Sequence, residues 1–362
     1  MYRLKDENQL MSVISLARCL PEPIKNAIKA TRDNSGLALV RLFSSTGFLS
    51  SLYYCLISRE FDREHRAVLL GRLQFARLMR RKGENDAFLR RNVHRLEKGL
   101  IMRPRRSTFA EDYIGPTVRC YADATQAGII NGQQRWANDV LNDYFTAVGS
   151  TPRIDSAKRA FSGAQRLDES SRCVPYPHSQ LPDCPVSYDE LMVLFRRRRS
   201  VRWYQDKPVS NELLEQAVRA AALAPSACNR QPFRFYVSNG KEKAAEVAKC
   251  AGGTAGFHDN LPCVIAVVGD LGCYPEARDR HVVYIDGSLA AMQLMLALES
   301  LGLSSCSINW PDVEERERQL AKILGLAYQE RTVMLLAVGY ADPTGGIPYS
   351  DKKTADDLIV FN

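Results

Sequence analysis

The sequence predicts an α+β chain, with a mainly helical first half and a second half in which helices alternate with strands. Three observations predict it. Apolar residues recur at helical spacing between residues 63 and 148, with few strand-like runs. After residue 187, short β-rich runs alternate with helical ones. Between them, residues 150–184 carry four prolines and little periodicity. A length of 362 residues leaves room for two cores. With 45% hydrophobic and 25% charged residues, collagen-like, disordered and disulfide-scaffold classes are excluded. The expected domains are a basic helical one at 1–149, a linker or wrapping arm at 150–185, and a mixed domain at 186–362.

The elements follow in order. Residues 42–58 hold no charge but several serines, and are short for the ~20 apolar residues of a membrane span. A buried helix or helix pair is expected, with a membrane-surface segment as the alternative. Residues 63–82 place Val68, Leu69, Leu73, Phe75, Ala76 and Leu78 on one apolar stripe. Leu89, Val93, Leu96 and Leu100 continue at helical spacing until Pro104 breaks the pattern. Another helix is expected over 135–148. Ser187 and Glu190 form a capping-box pattern opening a helix at 189–198. A helix at 211–223 stops before Pro225. Phe233, Phe235 and Val237 alternate as a strand, and 263–268 is a continuous apolar run suited to a strand covered on both faces. A long helix over 282–301, strands at 304–308 and 333–338, a helix at 312–324 and a terminal strand at 358–361 complete the expectation.

The formal net charge is +8, divided as +11 in residues 1–180 and −3 in 181–362. Residues 72–106 alone hold 12 Lys and Arg against 3 acidic residues. That run is a solvated face with internal pairs, or a dock for an anionic substrate, a saccharide carrier or a lipid headgroup. Nucleic acid is not expected there, because no aromatics suited to base stacking are interleaved. The ten cysteines show no C-x-x-C spacing and read as reduced thiols of a reducing compartment. The N-terminal residues lack signal-peptide order. A cytoplasmic location is expected, with peripheral attachment to the inner membrane face as an open alternative.

Phosphate-loop, dinucleotide-fold and H-E-x-x-H patterns are absent, and the five histidines share no ligand spacing. No metal is expected. Arg198, Ser200 and Arg202 alternate where a helix ends and the chain extends, an arrangement able to fork onto a phosphate dianion. The same run also reads as positive charge favouring a helix C-terminus. Pro225, Ser226, Asn229 and Gln231 sit among small residues between a helix and a strand, where a flat heteroaromatic ligand could approach the backbone. Turn chemistry alone accounts for them equally well. Lys352 and Lys353 are a basic pair in the tail, and residues 302–310 join a helix to a strand.

Together these four segments resemble the nitroreductase family of FMN-dependent oxidoreductases. The likeness rests on RRRSVRWY at 197–204, on 206–237, on 286–305, on VGYAD at 338–342 and on 347–358. It implies an α+β fold with a central sheet flanked by helices, and a homodimer with FMN at the subunit interface. Arg198, Ser200 and Arg202 would hold the FMN phosphate and ribityl chain, with Arg199 contributing backbone and Lys352 or Lys353 a further cation. Pro225, Ser226 and Asn229 would line the flavin ring from the other subunit. Ser307, Ile308 and Asn309 would lie beside the ring, and the terminal strand would join the partner's sheet. Trp203 and Trp310 would narrow the pocket.

The resemblance further implies ping-pong hydride transfer from NAD(P)H through flavin N5 to an electron-poor small-molecule acceptor of nitro, quinone or enone type. The flavin carries that chemistry, so no side chain is expected as a catalytic residue. Two alternatives are a flavin-dependent reductase or dehydrogenase of a saccharide- or lipid-linked intermediate, and a non-catalytic flavin-binding redox or scaffold module. In the first half, RNVHRLEKGL at 91–100 followed by IMRPRR is similar to a segment of nitroreductase-like proteins from bacterial polysaccharide gene clusters.

Overall fold

The computed structural model describes residues 36–81, 84–165, 167 and 172–361. Cys19 and the N-terminal decapeptide lie outside them. The chain divides into two compact units, Met1–Glu64 and His65–Asn362.

The first unit contains helix α1, Gly47–Leu56, whose N-cap Thr46 accepts from the Leu49 amide. Residues 42–58 do not form the buried element expected of them. No residue of α1 is buried, and Phe48 is 77% exposed. Phe43 packs on Tyr53 and Tyr54 on Phe61, so the segment's own aromatic contacts are local.

Helix α2, Asp62–Arg80, appears where periodicity placed it, but with another face inward. Ala67 and Val68 are buried against Leu271, Tyr274 and Val283, while Leu69 and Leu73 point out. Gly71 sets that face. A Cβ there would come within 2.7–2.8 Å of the Leu271 side chain and backbone, so the helix crosses at the one residue that allows close approach.

Four helices then enclose a core of their own: α3, Asp86–Leu100; α4, Ile114–Gln126; α5, Gly132–Ala147; and α6, Pro152–Ser162. Leu89, Val93 and Leu96 fill it together with Ile114, Tyr121, Leu141, Ile154 and Phe161. Helix α6 occupies the start of the stretch expected as linker. Thr151 caps it and Pro152 takes its first turn, where a missing N–H costs nothing. Its buried Ile154, Ala157 and Phe161 tie the stretch to the helical core.

Helix α7, Tyr188–Arg197, opens with the expected capping box: Ser187 Oγ accepts from the Glu190 amide, and Glu190 accepts from the Ser187 amide. Beyond it lie α8, Asn211–Ala221; β1, Phe233–Asn239; α9, Lys241–Lys249; β2, Cys263–Asp270; and α10, Val282–Ser300. The series ends with β3, Ser304–Ile308; α11, Glu314–Leu324; and β4, Glu330–Gly339. The four strands form one antiparallel sheet in the order β1-β2-β4-β3.

Both faces of that sheet are covered, as the apolar run at β2 requires. Val264, Ala266 and Val268 pack with α9, α11 and Trp310. Cys263, Ile265 and Val267 pack with α8 and α10. Burying such side chains stabilises the fold by about 1.5–3 kcal/mol each. Helix α10 is long and apolar enough to cross a membrane by length and composition, yet Ala291, Leu294, Met295 and Leu298 lie in this core. Its remaining stripe, Ile285, Leu289 and Met292, stays exposed.

The expected strand at 358–361 does not form. The segment turns instead, and Phe361 is 91% exposed.

Candidate functional site

The basic segment is built by the end of α7. Arg198 is its C-cap with extended backbone, and the chain then runs along the edge strand β3. Ser200 bridges Ser305, and the Val201 amide donates to the Ser305 carbonyl at 3.1 Å. Val201 and, three residues on, Tyr204 lie in the core, while Arg198, Ser200 and Arg202 are half-buried.

The charges there are unequally used. Arg197 pairs with the nearly buried Glu299 at 3.0 Å. Among the described residues Arg198 and Arg202 form no ion pair; Arg202 donates to the Ser200 carbonyl at 3.4 Å and lies 5.9 Å from the Phe257 ring. Burial pushes the Cys306 thiol pKa up, while Arg202 and Arg198 pull against it. Ser305 Oγ is buried with no partner. The Arg198 and Arg202 guanidiniums together with the Ser200 hydroxyl form a donor set that suits a phosphate.

Arg199 reaches the C-terminal tail with its side chain. It donates to the Pro348 carbonyl at 2.8 Å and also to that of Tyr349. This tethers the tail a few residues before Lys352 and Lys353, both exposed.

The same edge strand carries Ser307, Ile308 and Asn309 at its far end. Ser307 and Asn309 are exposed. Ile308 is 4% exposed and belongs to the core, so only its backbone can meet a ligand. From Ser305 to Asn309 the strand runs about 13 Å. Trp310 does not narrow any pocket. Its ring is in the core and its Nε1 donates to Glu317 at 2.8 Å.

The loop at 225–231 forms the second group. Cys228, Asn229 and Gln231 all adopt positive φ, near +50°. Non-glycine residues in this region cost roughly 1–2 kcal/mol each, so the surroundings must hold them. Asp286 of α10 does so by accepting the Ala227 amide on both carboxylate oxygens at 3.0 and 3.2 Å. Ser226 Oγ accepts the Gln231 amide, and Gln231 Nε2 reaches back to the Ala222 carbonyl. Beneath the loop, Arg230 is 7% exposed, stacks 4.7 Å over Tyr274, and has an unpartnered Nε. From the helical region, Arg90 Nε of α3 donates to the Asn229 carbonyl at 2.8 Å. Burial raises the pKa of Asp286, opposed by the Ala227 amide, Tyr274 and Arg230.

Asp286, Tyr274, Arg230 and Arg90 were not among the expected site residues. Asp286 carries the one usable signal, a carboxylate inside an otherwise apolar helix. Arg90 carries none, since it is one arginine among many.

The sheet order separates the two groups. The loop leads into β1 and the basic segment borders β3, the opposite edge. Asn309 and the loop share one end of the sheet but lie three strand spacings apart, about 14 Å, and Ser200 is on the order of 30 Å away at the diagonal corner. A single chain does not bring them together.

The sequence pattern of the nitroreductase family matches residues 195–256 and 239–340. A protein of Archaeoglobus fulgidus with the provisional name NADH dehydrogenase/NAD(P)H nitroreductase is 32% identical over 174 residues, 47% of this chain and 97% of that protein. The chain belongs to the nitroreductase family. This nitroreductase-family chain is also similar to mouse iodotyrosine deiodinase 1, at 24% identity over 226 residues, 54% of this chain and 78% of the other. Among solved structures, an FMN-dependent nitroreductase of Clostridium difficile shows 27% identity, covering 47% of this chain and 98% of its own, with a TM-score of 0.41. The family pattern begins at residue 195, so helices α1 to α6 lie outside it.

Proposed function

We propose that the protein is an FMN-dependent NAD(P)H oxidoreductase that works as a homodimer. The observation that carries this reading is the set Arg198, Ser200 and Arg202, half-buried where the chain borders β3, with Arg198 and Arg202 in no ion pair among the described residues. Membership of the nitroreductase family and the names of its relatives support it. FMN, when bound, supplies hydride chemistry between NAD(P)H and an electron-poor acceptor of nitro, quinone or enone type.

The chain's own residues bind and orient. Arg198, Ser200 and Arg202 would grip the phosphate, each charge-assisted bond contributing about 1.5–3 kcal/mol. Lys352 and Lys353 add cations from the tethered tail. Ser307, Asn309 and the Ile308 backbone lie along the edge strand where the ring would follow. The loop with Pro225, Ser226 and Asn229 belongs to a second copy, because its own chain holds it at the opposite edge of the sheet. The exposed stripe of Ile285, Leu289 and Met292 and the apolar tail at 358–361 offer that copy a surface.

The test is a visible spectrum of the purified full chain, followed by stopped-flow mixing with NADH and NADPH. A yellow protein bleached by either nucleotide is the expected result. Arg198→Ala combined with Arg202→Ala should release the flavin. A protein that takes up no FMN, or a double variant that keeps it fully, refutes the assignment.

A further inference from the structure

The basic run at 72–106 is only partly absorbed by the site described above. Its distal part closes on a cavity of about 570 Å³ in the helical region. Arg95 and Gly99 of α3 form one wall, and Met102, Arg103 and Arg106 of the following loop another. Phe109 and Tyr113 complete it.

The floor is apolar and firmly placed. A Cβ at Gly99 would collide with the Phe109 ring, so the absence of a side chain lets that ring lie directly on α3. Phe109 meets Tyr144 edge-on at 5.1 Å, and its carbonyl accepts from Tyr144 Oη at 2.7 Å, fixing it to the helical core. Met102 also lines the cavity.

The lining carries three arginines, Arg95, Arg103 and Arg106, against two carboxylates, Glu111 and Asp112. The Arg95 guanidinium is stacked 3.8 Å from the centre of the Tyr113 ring, which holds it in place while leaving its edge donors available. Among the described residues, Arg95, Arg103 and Arg106 form no ion pair. The two carboxylates of the wall are engaged elsewhere: Glu111 accepts from Thr151 at 3.0 Å, and Asp112 pairs with Arg153 at 3.2 Å. Arg91 is crowded from behind; burial first, then the charge of Arg95, pulls its pKa down. Such like-charge crowding is relieved by an anion. Ala110, in the same wall, holds a φ of +67°, the kind of backbone strain that collects at ligand clamps.

We propose that this cavity binds a small phosphate monoester with an apolar or aromatic body. The phosphate lies among Arg95, Arg103 and Arg106, and the body rests on Phe109 and Met102. A dianionic head matches several arginines better than a monoanion does, and planar guanidiniums fork onto phosphate oxygens. The concave, partly apolar shape suits a single small molecule rather than a flat surface. This inference stands independently of the flavin reading.

The test is calorimetric titration of the full chain with phenyl phosphate, with inorganic phosphate and phenol as comparators. The expected result is saturable one-to-one binding of phenyl phosphate, tighter than either comparator and weakened by added NaCl. Arg103→Ala with Arg106→Ala should lose at least tenfold in affinity. These side chains are exposed, so the fold should survive, and an unchanged melting temperature checks it. Lys98→Ala, an exposed cation of the same helix outside the wall, should bind as the wild type does. The titration is repeated on Arg198→Ala with Arg202→Ala, where phenyl phosphate binding should persist. The proposal is overturned by absent saturation, by equal loss in Lys98→Ala, by loss confined to the 198/202 variant, or by adsorption to phosphatidylglycerol vesicles without phenyl phosphate binding.

Discussion

Arg90→Ala is the most informative single change, because Arg90 joins the helical region to the loop assigned to the flavin ring. In the structure its Nε donates to the Asn229 carbonyl at 2.8 Å, and its guanidinium lies 5.4 Å from the Trp136 ring centre. A hydrogen bond from a charged donor contributes about 1.5–3 kcal/mol. Three left-handed residues in the loop store a few kcal/mol in the opposite sense. The clamp and the strain are therefore of similar size, and removing the clamp should let the loop open locally while the domain stays folded. At 1.4 kcal/mol per factor of ten, a loss of 1.5–3 kcal/mol speeds opening by roughly 10- to 100-fold. The assay is amide hydrogen exchange at Ala227, Asn229 and Gln231, whose N–H groups are bonded to Asp286, the Ser226 carbonyl and Ser226 Oγ. Exchange should accelerate there by that factor and stay unchanged in β2. FMN affinity should fall with it, and Arg90→Lys should be intermediate. Exchange within twofold of the wild type would refute the argument and assign the loop's order to Asp286 alone.

Two further outcomes are expected. Arg331 is 1% exposed and held by Asp312 at 2.7 Å, Glu317 at 3.8 Å and Tyr284; burial lowers its pKa, but Glu317, Tyr284 and Asp312 outweigh it and raise it overall. Arg331→Met leaves the buried Glu317 carboxylate its Trp310 hydrogen bond but removes this counter-charge, at a cost of about 3–5 kcal/mol in urea unfolding, and adding Glu317→Gln should recover part of it. Asp286 titrates above the usual aspartate value because it is buried. The native state then binds more protons than the unfolded chain, so this group's contribution to stability falls as pH rises above that usual value. The stability of the wild type relative to Asp286→Asn should decline with pH in that window, and a flat or rising difference from paired unfolding curves contradicts it.

The local parts of the architecture are legible in the residues. The capping box at Ser187, the covered strand at 263–268 and the stripe of Leu89, Val93 and Leu96 each depend on side chains within a turn or two of one another. Periodicity and hydrogen-bonding chemistry over such distances are written directly in the order of residues. The alternation of Arg198, Ser200 and Arg202 is of the same kind, and the chain borders β3 at Ser200.

Other features depend on partners far along the chain. Helix α2 is apolar on more than one side, and only the close crossing of Gly71 over Leu271 selects Ala67 and Val68 rather than Leu69 and Leu73. Helix α4 buries Ile114, Val118, Tyr121 and Ala124 along one face, but Gly115 and Pro116 in its first turn and the polar Thr117 and Thr125 on that face obscure the pattern in the residues alone. Trp310 reads as a pocket residue until Glu317 is seen accepting its N–H. The apolar run at 358–361 reads as a strand, yet within this chain the segment turns instead. By itself, then, the sequence determined the strands of the sheet and most of the helices, but not α4, α6 or α9. The order β1-β2-β4-β3 was decided by non-local pairing, and so was the division of the candidate site between opposite sheet edges. The reason is physical: strand pairing and helix crossings are chosen by whole-surface complementarity, which no local window of residues contains.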